Sequence, residues 1–295
     1  MKILWKKENE HDFFIKSLNF ATPEQLFYAT FDKKFYAYWP KGYSDTKSTL
    51  QSRNSLIGTY TEKWSTDLFS EIAKQLGCYS VQGAVCEEIG LTNQSPADVA
   101  ICKNKDIVQK PENILMIAEV KMSIVWNWEY KQVNGKPEIV CVGDYKTHSG
   151  QPSIRRSDSM LKAIGKSINV RVSSDKAAKI PIIVIGNTPI NPGYFNKVDH
   201  LKSNGIIQGF WSINPNPLDN NGENIKNTPK NGFYRFDSYD ELKEKSLDLL
   251  KEERQFFSSM QSKKKLGEII GIANKEQTYE QKAEKFLQLI KNSGD

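Results

Sequence analysis

Cysteine is scarce in this chain. Cys78, Cys86, Cys102 and Cys141 are the full set, and no two stand in a Cys-x-x-Cys spacing. That excludes a disulfide-built scaffold and reads as small, buried apolar residues in a reducing cytoplasm. Histidine is scarcer still. His11, His148 and His200 lie far apart in no metal-ligand spacing, so a zinc centre is not expected. No apolar run approaches the ~20 residues of a membrane span, and the start Met-Lys-Ile-Leu-Trp-Lys-Lys-Glu has no signal-peptide core. A protein without membrane contact is therefore expected. What remains is a charged, aromatic-rich chain of 295 residues, long enough for one large domain or two small ones.

The net charge is +6, from 41 basic and 35 acidic residues, and its location matters more than its size. Between Lys146 and Lys179 eight basic residues stand against two acids, Asp158 and Asp175, so this segment holds the whole excess. A local basic stripe is the electrostatic footprint of phosphate binding. Within it, Lys146, Gln151, Arg155, Arg156, Lys162 and Lys166 are the residues expected to contact DNA. Arg and Gln can each make paired hydrogen bonds to a base edge.

The most informative stretch runs from Ser95 to Met122. Two apolar, strand-like runs carry charges where charges are rare. The first has Asp98 near its start. The second, Ile114 to Ala118, ends in Glu119, Val120 and Lys121. Side chains alternate along a strand, so Glu119 and Lys121 leave on one face. An unpaired buried charge costs several kcal/mol, so the cluster asks for partners. Two carboxylates repel unless a cation sits between them, and a hard cation such as Mg²⁺ suits them.

Asp98 with the Glu119-Val120-Lys121 tripeptide resembles the motif of the PD-(D/E)xK nuclease superfamily, which includes most type II restriction endonucleases. One departure stands out: Ala97 separates Pro96 from Asp98, where the family often has proline directly before the acid. The resemblance covers roughly 58–213. It implies that Asp98 and Glu119 are metal ligands, with the Val120 carbonyl as a third. Lys121 would orient and help deprotonate the attacking water. A glutamate on the helix before the core sheet often joins such a cluster, and Glu62 fits that role. It falls beside Phe69 and Ala73 on the apolar stripe of a helix expected over 61–76, capped by Thr61 and stopped by Gly77.

Around this motif the chain reads in four parts: an aromatic and basic region (1–57), a nuclease core (58–213), a flexible Asn- and Pro-rich loop (214–232) and a helical region (233–295). In the first part, Thr22-Pro23 marks a helix start and residues 35–39 a short strand. Lys41, Tyr43, Lys47 and Arg53 punctuate a loop-like stretch able to grip a nucleic-acid backbone. In the core, strands are expected over 79–85, 98–101 and 114–126. A hairpin turning at Asn134-Gly135 should project from the third strand, with its return strand over 138–145. A helix over 158–170, capped by Ser157, should turn Met160, Leu161, Ile164 and Ile168 inward and Lys162 and Lys166 outward. A buried parallel strand over 181–185, a helix over 194–203 and a strand over 205–213 complete the core. Capping boxes at Ser238 and Thr278 start helices in the last part.

The fold expected is α/β: a restriction-endonuclease-like mixed β-sheet core flanked by helices, with a helical C-terminal region. The function expected is Mg²⁺-dependent, site-specific cleavage of double-stranded DNA by a homodimer, leaving 5′-phosphate and 3′-hydroxyl ends. Two alternatives stay open. One is a repair, junction-cleaving or anti-phage nuclease of the same fold. The other is a non-catalytic nucleic-acid-binding protein.

Overall fold

The computed structural model describes residues 3–44, 50–218, 224–257 and 261–292. Its elements in chain order are α1 (Lys7–Ser17), α2 (Pro23–Leu26), β1 (Tyr28–Ala29), β2 (Phe35–Tyr36), α3 (Gln51–Gln75), β3 (Tyr79–Ala84), β4 (Ala97–Cys102), β5 (Ile114–Val120), β6 (Asn127–Val133) and β7 (Lys136–Gly143). There follow α4 (Ser157–Ser173), β8 (Ile182–Gly186), α5 (Phe195–Ser203), β9 (Gly209–Ser212), β10 (Phe233–Arg235), α6 (Tyr239–Lys251), α7 (Lys263–Ala273) and α8 (Tyr279–Asn292). Contacts gather the chain through Arg254 into one compact unit and the residues from Gln255 on into a second.

The first unit is α/β. Its centre is a six-stranded mixed sheet in the order β10-β9-β8-β5-β4-β3. β3, β4 and β5 run antiparallel, while β5, β8, β9 and β10 are parallel neighbours. β5 and β8 are central because both faces of each are covered; every residue of β8 is buried. Continuous apolar strands of this kind belong in the middle of a parallel sheet. On one face Val99, Ile101, Ala118 and Val120 pack against Leu68, Phe69 and Ile72 of α3. On the other, Ala100, Cys102 and Ile117 meet Val170 of α4. No helix among the described residues is long and apolar enough to cross a membrane.

The second sheet is antiparallel, in the order β1-β2-β6-β7. The expected hairpin is there, turning at Asn134 (φ 52°) and Gly135 (φ 74°), the left-handed pair that a two-residue hairpin loop demands. It does not project from the third core strand. β5 stops at Val120, and residues 121–126 leave the first sheet before β6 begins. A buried acid fixes that departure. Glu10 of α1 accepts hydrogen bonds from the Val125 N–H (2.7 Å), the Trp126 N–H (3.2 Å) and the indoles of Trp128 (2.9 Å) and Trp5 (3.3 Å). Burial pushes its carboxyl up to about 8, against the pull of those donors. Between about pH 4.5 and 8 the folded state then holds a proton that the unfolded chain has released. The stability this provides is complete below pH 4.5 and is lost as the pH rises through 8. Melting temperatures of Glu10→Gln should therefore fall less steeply than those of the parent from pH 5 to 8. Parallel curves would show that Glu10 stays ionised.

Several sequence expectations change. Helix α3 begins ten residues before Thr61, whose hydroxyl bonds the Ile57 and Gly58 carbonyls from within the helix (2.8 and 3.0 Å). Arg53 is a buried residue of this helix, not a loop residue. Lys47 and part of the expected loop, 219–223, lie outside the described residues. Ser157 is the first helical residue of α4 and Arg156 the cap. The buried face of α4 is Met160, Ala163, Ser167, Val170 and Arg171, whereas Leu161 and Ile168 are exposed. The helix is turned about a quarter of a revolution from the face its large aliphatics suggest. β10, beyond the Asn-rich loop, adds a further strand to the first sheet.

Helix α6 is capped as expected, Ser238 accepting from the Glu241 N–H at 3.2 Å. In the second unit α8 is also capped as expected, and α7 carries a cap not among those expected from the sequence. Ser262 accepts from the Lys265 N–H at 3.1 Å, and Thr278 and Gln281 bond each other's backbone N–H groups (3.1 and 3.2 Å). Phe257 packs edge-on against Phe286 within this unit.

Candidate active site

Strand alternation assigns the charges to one side. Asp98 shares the face of Ala100 and Cys102, and Glu119 that of Ile117, so both point toward α4. β4 and β5 pair Val99 with Ala118; continuing that register sets Asp98 opposite Glu119. Like charges directly opposite are destabilising. The fold answers with two ammonium groups.

Lys121 Nζ bonds Glu119 Oε1 and lies 3.5 Å from Asp98 Oδ2 and 3.2 Å from the Val120 carbonyl. The second ammonium comes from α4. Lys166 Nζ donates to Asp98 Oδ1 at 3.0 Å and lies 2.6 Å from Glu119 Oε2. The last contact is a close ion pair with the one Glu119 oxygen that has no other partner among the described residues. Asp98 Oδ2 also accepts the Val120 N–H at 2.7 Å, which ties the acid of β4 to the end of β5. The four side chains are 5 to 19% exposed, so the rules for buried rather than surface ion pairs apply.

The electrostatics follow from that burial. Burial, and then the Asp98 charge beside it, raise the Glu119 carboxyl above the usual range. Burial pulls the Lys166 ammonium down, but Glu119 and Asp98 outweigh it and the net shift is upward. Glu62 reaches the same cavity from α3. Its carboxyl is raised first by burial and then by Asp98, and Gln82 of β3 donates to it at 3.4 Å. The cavity, about 420 Å³, is walled by Glu62, Asp98, Glu119, Lys121, Lys162 and Lys166.

Do these residues suit a divalent cation? The donors are hard oxygens: Asp98 Oδ1, Glu119 Oε2 and the Val120 carbonyl. One of them, Glu119 Oε2, is fully buried and answered only by the Lys166 ammonium, a cationic nitrogen that already lies between the two carboxylates. Among the described residues no three acid, cysteine or histidine side chains stand close enough to cage a metal. Mg²⁺ needs no such cage; one or two carboxylates with water and phosphate suffice. The set is chemically suited to Mg²⁺; Asp98 and Glu119 are the residues that could hold it, and Glu62 stands outside that pair.

The structure therefore brings together Asp98, Glu119, Val120, Lys121 and Glu62. It also brings in Lys166, which was expected to face outward from α4 and instead turns into the cluster. The remaining basic residues do not form one stripe. Lys162 borders the cavity and pairs with Asp158 at 3.1 Å. Gln151 and Arg156 border a second cavity. Arg155 stacks on the Tyr145 ring at 4.7 Å, and Lys146 is exposed beside it. Arg171 is buried, bonding the Ala177 and Ile206 carbonyls and Gln208, and burial lowers its guanidinium to about 10. The position of Lys166 had a sequence signal: it stands only four residues before Val170 on the face that Ala163 and Ser167, being small, allow to approach the sheet. Comparison of the chain with protein-family models, curated proteins and solved structures finds no match.

Proposed function

We propose that the protein is a Mg²⁺-dependent nuclease of the PD-(D/E)xK type, with a restriction-endonuclease-like core and double-stranded DNA as substrate. One observation carries the reading: Asp98, Glu119 and Lys121 converge, from neighbouring antiparallel strands, at the carboxyl end of β5. Open sheets place their ligand sites at that end. Asp98 and Glu119, with the Val120 carbonyl, would hold the ion. When bound, Mg²⁺ neutralises charge on the scissile phosphate and makes water a better nucleophile.

The chain's own groups do the rest. The Lys121 ammonium orients the attacking water and steadies the charge that develops on the phosphate. Without the ion, Lys166 takes its place between the two carboxylates and holds them together. Glu62 lines the cavity beside the ligand pair as a supporting group, its carboxyl raised by burial. The reading implies 5′-phosphate and 3′-hydroxyl products, and a homodimer for symmetric double-strand cleavage.

The test is incubation of the full chain with phage DNA, with and without Mg²⁺, alongside Lys121→Ala. Discrete fragments that need Mg²⁺ and disappear in the variant are the expected result. A smear would point to a repair or anti-phage nuclease of the same fold. No cleavage by the parent would leave a nucleic-acid-binding protein whose charge cluster is structural.

A further inference from the structure

A second cavity of about 480 Å³ meets the first at Lys121, which lines both. That volume lies within the roughly 300 to 1,000 Å³ of ligand sites. The composition of its walls is one-sided. Among the described residues three cations line it, Arg53 from α3, Lys121 from the end of β5 and Arg156 from the start of α4, and no carboxylate does. Arg156 is exposed and only loosely paired with Asp158, at 3.4 Å. Arg53 is held rigidly, 3% exposed, by the Leu26 and Ala37 carbonyls. Trp39, also in the wall, is 7% exposed, and its buried indole N–H has no hydrogen-bond partner among the described residues. A buried donor without a partner loses about 1 to 3 kcal/mol relative to a satisfied one. A bound acceptor that reached it would recover that loss.

The aromatic rings here do not offer a stacking platform for a base. Trp39 lies between Tyr28 (4.6 Å) and Tyr43 (4.4 Å), and Tyr38 stacks on His148 at 4.0 Å. Their faces are taken, so recognition falls to charge and N–H donors. The first turn of α4 adds backbone N–H groups, because Arg156 caps the helix without a side-chain bond and Ser159 lines the cavity. Gly150 keeps the wall thin: a Cβ there would come within 2.4 Å of the Tyr38 ring.

We infer that this cavity is a phosphate subsite. It seats a phosphodiester of the nucleic-acid strand next to the one at the carboxylate cluster, with Lys121 between the two. The inference rests on the proposed nuclease function and adds a path for the strand: from Asp98 and Glu119, past Lys121, to Arg53, Trp39 and Arg156. It also keeps Arg53, which the sequence had suggested, in the DNA-gripping surface and adds Trp39, both outside the basic segment 146–179.

The experiment measures metal-free binding of a fluorescein-labelled 12-nucleotide single strand and its duplex by anisotropy, across a salt series. Trp39→Phe removes the indole N–H and keeps a ring. Arg156→Gln removes an exposed charge. Lys131→Gln, on β6, is the control. Trp39→Phe should weaken binding about tenfold with the salt slope unchanged, as for a lost hydrogen bond to a charged group. Arg156→Gln should weaken it and lower the slope by about one unit. The control should change neither. Unchanged affinity in both pocket variants, in a parent that binds and cleaves, overturns the subsite and leaves the nuclease reading intact. Adenosine monophosphate supplies the second arm. If it binds in a Trp39-dependent way without displacing the oligonucleotide, the cavity serves a free nucleotide and the inference is wrong. A parent that binds no oligonucleotide and, with Mg²⁺ added, cleaves no DNA defeats the nuclease reading itself.

Discussion

Asp98→Asn should lower Mg²⁺-dependent DNA cleavage by on the order of 10³-fold while leaving the protein folded, a loss like that of a single oxyanion-hole donor. The substitution is nearly isosteric, and its carbonyl can still accept the Val120 N–H now held by Asp98 Oδ2 at 2.7 Å. What disappears is the charge. Lys121 and Lys166 then face Glu119 with no second carboxylate between them, and a divalent ion loses one of its two carboxylate ligands. A tenfold loss corresponds to about 1.4 kcal/mol, so the expected effect is near 4 kcal/mol of transition-state stabilisation. Cleavage rates at saturating Mg²⁺, measured with a thermal melt of the same sample, separate chemistry from folding. Activity within tenfold of the parent would move the active site away from Asp98. Glu62→Gln, outside the ligand pair, should cost only about tenfold, as removal of a supporting group does.

The strands of this site were legible because they answer to one-dimensional signals. Ile114 to Ala118 and Pro181 to Ile185 are apolar runs too short for anything but buried strands, and Asn134-Gly135 fixes a hairpin by its left-handed φ angles. Alternation alone sets Glu119 and Lys121 on a common face. The helices were harder. α3 starts at Gln51 behind Leu50, with no side-chain cap, so nothing local announces it; only the four-residue spacing of Arg53, Ile57 and Thr61 betrays its buried face. α4 misled because large aliphatics usually mark the inner side. Here Ala163 and Ser167 let the helix lie close on the sheet, while Leu161 and Ile168 stay outside. That rotation carries Lys166 from the expected DNA-facing surface into the carboxylate cluster. The second cavity was beyond sequence reasoning altogether. It joins Trp39, Arg53, Lys121 and Arg156, more than a hundred residues of chain, and no periodicity connects them.

Lys166→Met should destabilise the protein in the absence of divalent ions and should be rescued by adding them. In the parent, Lys166 Nζ lies 3.0 Å from Asp98 and 2.6 Å from Glu119, and the side chain is 18% exposed. Truncating one partner of a buried ion pair costs roughly 3 to 5 kcal/mol, because the other charge is left uncompensated. Lys121 remains near both acids, so the low end, about 3 kcal/mol, is expected. For a unit of this size that is a fall in melting temperature of about 6 to 12 °C. The methionine keeps most of the aliphatic packing, so the loss reports charge. Mg²⁺ or Mn²⁺ should then raise the variant's melting temperature more than the parent's. Where the parent's lysine competes with the ion for the same carboxylates, the variant's two acids share Lys121 as their one remaining cation in the cluster. By the same logic, calorimetric titration should show the variant binding Mn²⁺ more tightly than the parent. A variant as stable as the parent would mean that Lys121 alone balances the acids. A destabilised variant that divalent ions do not rescue would mean that the pair of carboxylates is a structural ion pair and not a metal site.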